Sequence, residues 1–440
     1  MPSKYKVAVI GCGKLGAPMV GVFAEAGHKV LGIDLDPDLI RNLQNFVVPW
    51  NEPGLQELLL TNSAQIEFSE KYEGNFQDKD ISFIIVPTPS KNDGSFSNQY
   101  VKSAVVEIGK NLKESKVTAH TVVIVSTVMP GSTSGEIKSS LLEALGESKV
   151  QISICYSPEF IALGSVIQNM KFPDMFLIGE ENEDSGDLLE DFAKSYLLSS
   201  PTVHRLSTIE AELAKIAINS YVTMKISYSN QISEMCEKTL GASADRVLAS
   251  IGSDSRIGSS YLKAATAFGG PCFPRDNRAL SKYASDISAT SKIAEATDVI
   301  NLGQSQRLLS IVQKKLGQSK RLVLVGAAYK PDTDVIEESP AIRFAELALK
   351  DGYQIEFVDD YVSSIPLLAD INVHRLDKAS DAIKESDGII LFVPASIYEN
   401  LPQFLSNNGV IFDLWGTWRK FESLKGQNYF RLGNNYEKKE

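Results

Sequence analysis

Residues 268–278 read Phe-Gly-Gly-Pro-Cys-Phe-Pro-Arg-Asp-Asn-Arg, and the one thiol among them, Cys272, reads as a nucleophile. Gly269 and Gly270 permit positive φ and close approach of a ligand, while Pro271 and Pro274 stiffen the turn and Asp276 follows four residues on. Lys215 and Asn219 stand four apart in a stretch of helical periodicity and so share one face. Glu159 follows a short apolar run at 152–155, which places a carboxylate at the end of a strand. Each has an ordinary alternative. A lone cysteine in a Gly/Pro turn packs as a small apolar residue, a helix lysine is solvated, and a glutamate after a strand caps a helix.

A second group of residues suits phosphate. Gly11-Cys12-Gly13-Lys14-Leu15-Gly16 follows a β-branched run at 6–10 and precedes an Ala-rich stretch reaching Gly27; a further run at 29–33 ends in Asp34. This is the first βαβ unit of a dinucleotide-binding fold. Gly11 makes the tight turn, Gly13 lets the backbone approach a pyrophosphate at the helix N-terminus, and Gly16 lets helix and strand pack closely. Asp34 accepts from the ribose hydroxyls and repels a 2′-phosphate, which favours NAD over NADP. Strands at 81–86 and 121–125 open into Pro87-Thr88-Pro89 and Ser126-Thr127-Val128, at the sheet edge where ligands bind. Thr88 and Thr127 are therefore candidates to touch the cofactor, with helix capping as the alternative.

The elements that position these groups form an α/β chain of two Rossmann-like doubly wound domains joined by a long central helix. Residues 210–240 hold helical periodicity without Pro or Gly, with Ile209, Leu213, Ile216, Ile226 and Ile232 at roughly three-to-four spacing. About 30 residues give about 45 Å, long for one domain, so this helix is expected to separate domains and pair with its twin. Helical texture continues over 279–316. Strands at 321–325, 354–358, 388–393 and 409–412 begin a second α/β domain, whose first loop, GAAYKPDTD from Gly326, has no GxGxxG but offers Lys330 to a phosphate. The expected domains are 1–205, 206–316 and 317–440, with a frayed tail from 434.

The 440 residues are 43% hydrophobic and 22% charged, as in soluble globular proteins, and a formal net charge of −11 argues against nucleic-acid or anionic-membrane surfaces. The first residues have no signal-peptide layout, and apolar runs such as 121–129 are far below membrane-spanning length; a cytoplasmic protein is expected. Cysteines at 12, 155, 236 and 272 and histidines at 28, 120, 204 and 374 fit no disulfide framework or metal spacing, so no metal is expected.

In order and spacing, GCGKLG, VPTP, STV, SPEF, ELAKIAINSY, DSRIGSSYLKAATAFGGPCFPRD and YKPDTD resemble the UDP-glucose/GDP-mannose dehydrogenase family over nearly the whole chain. The FGGPCFPRD block is most similar to the UDP-glucose 6-dehydrogenase branch. The resemblance implies a Rossmann domain, a long helix forming a dimer, and a carboxy-terminal domain holding the nucleotide of a UDP-sugar. It puts the catalytic thiol on Cys272, the lysine and asparagine on Lys215 and Asn219, the aspartate on Asp276, the glutamate on Glu159 and the threonine on Thr127. Substrate contacts fall on Glu159, Phe160, Ile161, Leu163, Lys215, Asn219, Tyr261, Lys263, Gly269, Phe273 and Lys330, with Arg256 reaching the neighbouring subunit's site. Cofactor contacts fall on Gly11, Gly13, Lys14, Leu15, Gly16, Asp34, Thr88 and Thr127.

The implied reaction takes a primary alcohol, that of UDP-glucose, to an acid by loss of two hydrides to two NAD. Cys272 adds to the intermediate aldehyde, and Lys215 and Asn219 stabilise the oxyanion. Asp276 or Glu159 handles the water. GDP-mannose or a UDP-hexosamine is the alternative substrate; a two-electron hydroxyacid dehydrogenase on the same Rossmann start would need no thiol. The chain departs from the family twice. Leu163 stands where a glutamate is usual, and Glu337 where an arginine is expected near the cofactor phosphates, for which Arg275 is the candidate substitute.

Overall fold

The computed structural model describes residues 5–113, 115, 117–161, 163–425 and 428–435. Contacts divide the chain into two units, Met1–Ile216 and Ala217–Glu440. The first is built on β1 (Lys6–Ile10), β2 (Lys29–Ile33), β3 (Ile66–Ser69), β4 (Ile81–Ile84), β5 (Ala119–Ile124), β6 (Gln151–Tyr156), β7 (Met175–Glu180) and β8 (Thr202–Ser207). They lie in the order β3-β2-β1-β4-β5-β6-β7-β8, parallel except where β6 meets β7 through Tyr156 and Gly179. Val7 and Val9 of β1 enter one apolar cluster and Ala8 and Ile10 another. That alternation explains the unbroken apolar run: successive side chains point to opposite faces, and both are covered.

The second unit carries β9 (Arg321–Val325), β10 (Gln354–Val358), β11 (Val373–His374), β12 (Gly388–Leu391), β13 (Val410–Asp413) and β14 (Tyr429–Arg431), in the order β11-β10-β9-β12-β13-β14 and all parallel. From the edge inward, β1–β6 and β9–β14 follow one and the same order, that of a doubly wound dinucleotide fold. The expected two Rossmann-like halves are present. The doubling reaches the loops: Asp34 after β2 accepts the Cys12 N–H at 2.7 Å, and Asp359 after β10 accepts the Ala327 N–H at 2.7 Å.

Four strands, β3, β8, β11 and β14, carry no sequence signal, because they are short or lack a buried run; β8 is half-exposed along its whole length. The helical texture after Cys272 is two helices, Phe273–Asp286 and Lys292–Leu316, broken where Ser288 takes a φ of 58°. The frayed tail is corrected at its start: Asn434 bridges to Ser243, and the N–H of Asn435 donates to Ala242 O at 3.0 Å. Residues 436–440 lie outside the described residues.

The long helix spans Thr208–Lys238. Its expected apolar stripe is only partly inward, since Ile216 is buried but Ile209 and Leu213 are exposed. Within the second unit the buried stripe is Ser220, Thr223, Ser227, Asn230 and Ser233. Small hydroxyl residues let neighbouring helices come close and bond: Ser227 Oγ donates to the Thr297 carbonyl at 3.1 Å, and Ser220 Oγ to the Asn277 side-chain Oδ1 at 2.8 Å. The large apolar side chains Tyr221, Tyr228 and Met235, seven apart, face outward at 60%, 47% and 55% exposure.

Candidate active site

The glycine turn of the first unit is a steric necessity. Gly11 has a φ of 94°, and a Cβ there would lie 2.6 Å from Ile85 O; a Cβ on Gly16 would lie 1.7 Å from Gly11 O. Gly13 has nothing within 4 Å of its Cβ position, so its backbone is open on the side from which a pyrophosphate approaches. The helix Gly16–Glu25 that follows is buried from Gly16 to Ala24. Leu15 packs against its apolar cluster, and the Asp34 carboxylate also accepts the Asp36 N–H at 3.0 Å. These residues fit a dinucleotide, with an acid at the ribose end.

Two loops at the same strand ends are tied together. Thr88 Oγ1 donates to Thr127 O at 2.7 Å, and Ser126 Oγ to Val86 O at 2.7 Å. Thr88 thus joins loops rather than capping a helix. The segment after β6 presents Glu159 and Phe160. Lys215 is buried, its Nζ donating to the Glu159 carbonyl at 2.6 Å and lying 4.4 Å from the centre of the Phe160 ring. Glu159 keeps some accessible surface, but its carboxyl group is enclosed; burial pushes its pKa up to about 7, against the opposing pull of the Lys215 charge. Ile161 and Leu163 pack against the apolar cluster of this unit. Glu52, buried, accepts the Gly164 and Ile167 N–H groups at 3.1 and 3.3 Å and holds this segment from outside.

In the second unit Cys272 is exposed and stands at the N-terminus of Phe273–Asp286, where the helix dipole favours negative charge. Its carbonyl accepts the Asp276 N–H at 2.8 Å. Asp276 is buried, and its Oδ2 accepts from Asn219 Nδ2 at 2.6 Å, while Arg275 Nε lies 3.5 Å from Oδ1. Both glycines before the thiol are required. A Cβ on Gly269 would meet Glu338 O at 2.3 Å, and one on Gly270, whose φ is 84°, would meet the Tyr329 ring at 2.5 Å. The Gly270 N–H donates to Glu337 O at 3.0 Å, so the residue standing in the expected arginine's place supports the thiol loop through its backbone.

Phe273 sits edge-on to both Tyr261 and Phe268. Lys263 Nζ lies 5.7 Å from the Trp415 ring, and Lys330 Nζ 5.8 Å from that of Tyr329. Arg256 is exposed and bonded to Asp254. Sequence reasoning missed two clamps. Asn301 exchanges hydrogen bonds of 2.7 and 3.0 Å with the Phe268 N–H and carbonyl, and Asn230 accepts from Ala265 and donates to Thr266. A buried asparagine in a helix carries no signal until the loop it holds is known.

The glycine cradle of the first unit, with Asp34 after its second strand, is of the kind that takes NAD in an oxidoreductase. Models of the UDP-glucose/GDP-mannose dehydrogenase family match the chain in three successive parts: the NAD-binding domain at residues 5–196, the central domain at 209–302 and the UDP-binding domain at 323–420. The chain belongs to this family. It is 31% identical over 437 residues to the UDP-glucose 6-dehydrogenase YwqF of Bacillus subtilis, covering 97% of each chain. It is 29% identical over 411 residues to a GDP-mannose 6-dehydrogenase of Pseudomonas aeruginosa, covering 88% of this chain and 92% of that one. Among solved structures it is similar to a UDP-glucose dehydrogenase from Pyrobaculum islandicum, with a TM-score of 0.88 at 28% identity over 99% and 98% of the two chains. Its cofactor is NAD and its substrate a nucleotide sugar.

Among the described residues no helix is long and apolar enough to cross a membrane, and no cluster of three His, Cys, Asp or Glu side chains is placed to hold a metal.

Proposed function

We propose that this enzyme is a cytoplasmic UDP-glucose 6-dehydrogenase, oxidising the primary alcohol to the acid with two NAD and one water. The observation that carries this reading is the exposed Cys272 at its helix N-terminus, for which a two-electron dehydrogenase has no use. NAD, held by Gly11, Gly13, Gly16 and Asp34 with Lys14, Leu15, Thr88 and Thr127 around it and Arg275 toward its phosphates, supplies the hydride acceptor in both oxidations.

The aldehyde left by the first oxidation has no second hydride to give until Cys272 adds to it. Sγ bonds to the carbonyl carbon, and the thiohemiacetal oxygen takes the proton. Loss of hydride then gives a thioester, which water cleaves to release acid and thiol. Lys215 and Asn219 stabilise the oxyanion of both tetrahedral species. Glu159, titrating near neutrality, takes a proton from the attacking water. Asp276, bonded to Asn219, fixes that amide's orientation. Phe160, Ile161, Tyr261, Lys263, Gly269, Phe273 and Lys330 line the path of the nucleotide sugar, which the central segment 206–316 and the last segment 317–440 hold, with Arg256 supplied from a second copy. NADH formation against a panel of UDP- and GDP-sugars, with product mass, tests the reading. Two NADH per UDP-glucose and a product heavier by one oxygen and lighter by two hydrogens are expected; one NADH per sugar would overturn it. GDP-mannose or a UDP-hexosamine is the second reading, because Leu163 packs against the core where the family usually offers a carboxylate.

Asp34 is expected to favour NAD over NADP by about a hundredfold in kcat/KM, since it repels a 2′-phosphate. Comparable values with the two cofactors would contradict that role. Quaternary structure gives another test. Tyr221, Tyr228 and Met235 form an outward apolar stripe of the sort that a second helix covers. A dimer is expected by light scattering at micromolar concentration; a 48.1 kDa monomer would refute it and leave Arg256 without a site to complete.

A further inference from the structure

Glu212, in the second turn of the helix Thr208–Lys238, is wholly buried, yet no cation pairs with it among the described residues. Its carboxylate is spent on backbone. Oε2 accepts the Gly131 N–H at 2.5 Å and Oε1 the Thr133 N–H at 2.8 Å, in the segment that follows β5 and carries Thr127. Burying a carboxylate is costly, and burial pushes this one's pKa up although the hydrogen bonds pull it down. A residue kept at that cost merely to fill space would be apolar. One turn on, Lys215 donates to the Glu159 carbonyl in the segment that follows β6. Consecutive turns of one helix therefore grip both loops, and Thr88 bonds the Thr127 carbonyl as well.

We propose that Glu212 is a positioning residue: it holds the Thr127 segment in register with Lys215 and Glu159, so that cofactor and sugar meet at a set distance. The catalytic part of this inference rests on the reaction proposed above. The test uses the full-length enzyme with NAD and UDP-glucose. Glu212→Gln keeps the size but offers one acceptor to two donors; Glu212→Ala offers none. A displacement of about 1 Å at reacting groups costs about a hundredfold, so kcat per folded molecule should fall about tenfold in Glu212→Gln and about a hundredfold in Glu212→Ala. KM for the sugar nucleotide should stay within about threefold, because its own contacts remain. Amide exchange at Gly131 and Thr133 should quicken by about tenfold or more in both variants.

A space-filling role would lower the melting temperature but leave kcat per folded molecule within twofold of wild type, and that result overturns the proposal. If Glu212→Ala does not fold, Glu212→Gln alone decides by the same criteria. If the unmodified enzyme oxidises no sugar nucleotide, the functional reading fails by itself; exchange at Gly131 and Thr133 and the affinity for NAD then judge Glu212, and no change in either in Glu212→Gln overturns its role.

Discussion

Cys272→Ala is expected to lower acid formation by about three orders of magnitude or more, with NAD affinity nearly unchanged. The first oxidation uses no thiol, so the variant should at most make aldehyde. The second cannot proceed by the same route, because a free aldehyde holds no hydride on an sp³ carbon bearing an alkoxide. Cys272→Ser separates the steps further. Its hydroxyl can add to the aldehyde, but the resulting ester hydrolyses far more slowly than a thioester in a site built for sulfur, so a sugar adduct should accumulate. NADH per sugar and intact-protein mass are the measurements. The cradle of Gly11, Gly13, Gly16 and Asp34 belongs to the other unit, which is why cofactor affinity should survive. A near wild-type yield of acid from Cys272→Ala would reduce this residue to a packing role.

Lys215→Met should cost about 10²–10³ in kcat, the usual scale for removing one donor from a developing oxyanion. It should also move a titration. Glu159 acts ionised, so kcat/KM is expected to rise with pH through a midpoint near 7. The Lys215 charge holds that midpoint down, and its loss leaves burial unopposed. The midpoint in Lys215→Met therefore lies higher than in the unmodified enzyme, and the limb is absent in Glu159→Gln. A pH profile unmoved by either substitution would show that Glu159 is not the base.

How much of this site could be read before the fold was known depends on how far apart the partners lie along the chain. The glycine turn and Asp34 were legible because part of the reason lies in the turn itself: Gly16 closes on Gly11 five residues back and Gly13 stays open, whereas Gly269 and Gly270 of the thiol loop are crowded by Glu338 and Tyr329, far along the chain. The strands β1, β2, β9 and β10 were legible for the same kind of reason, their unbroken apolar runs meaning that both faces are covered. Cys272 stood out by its setting between glycines and prolines with Asp276 following, and its catalytic role by the order of the motifs around it.

What the sequence could not state was the environment. Enclosure raises the Glu159 pKa against the pull of a lysine whose bond to its carbonyl spans 56 residues; the two hydrogen bonds of Glu212 span 81 and 79. The polar inward stripe of the long helix is likewise set by what packs on it, and Ile209 and Leu213 turn outward against the simple expectation while Ile216 stays buried. Steric rules for turns and strands act between neighbours and are written in adjacent residues. A buried carboxylate's charge and the register of two loops exist only once the sheet has closed and distant segments share one helix.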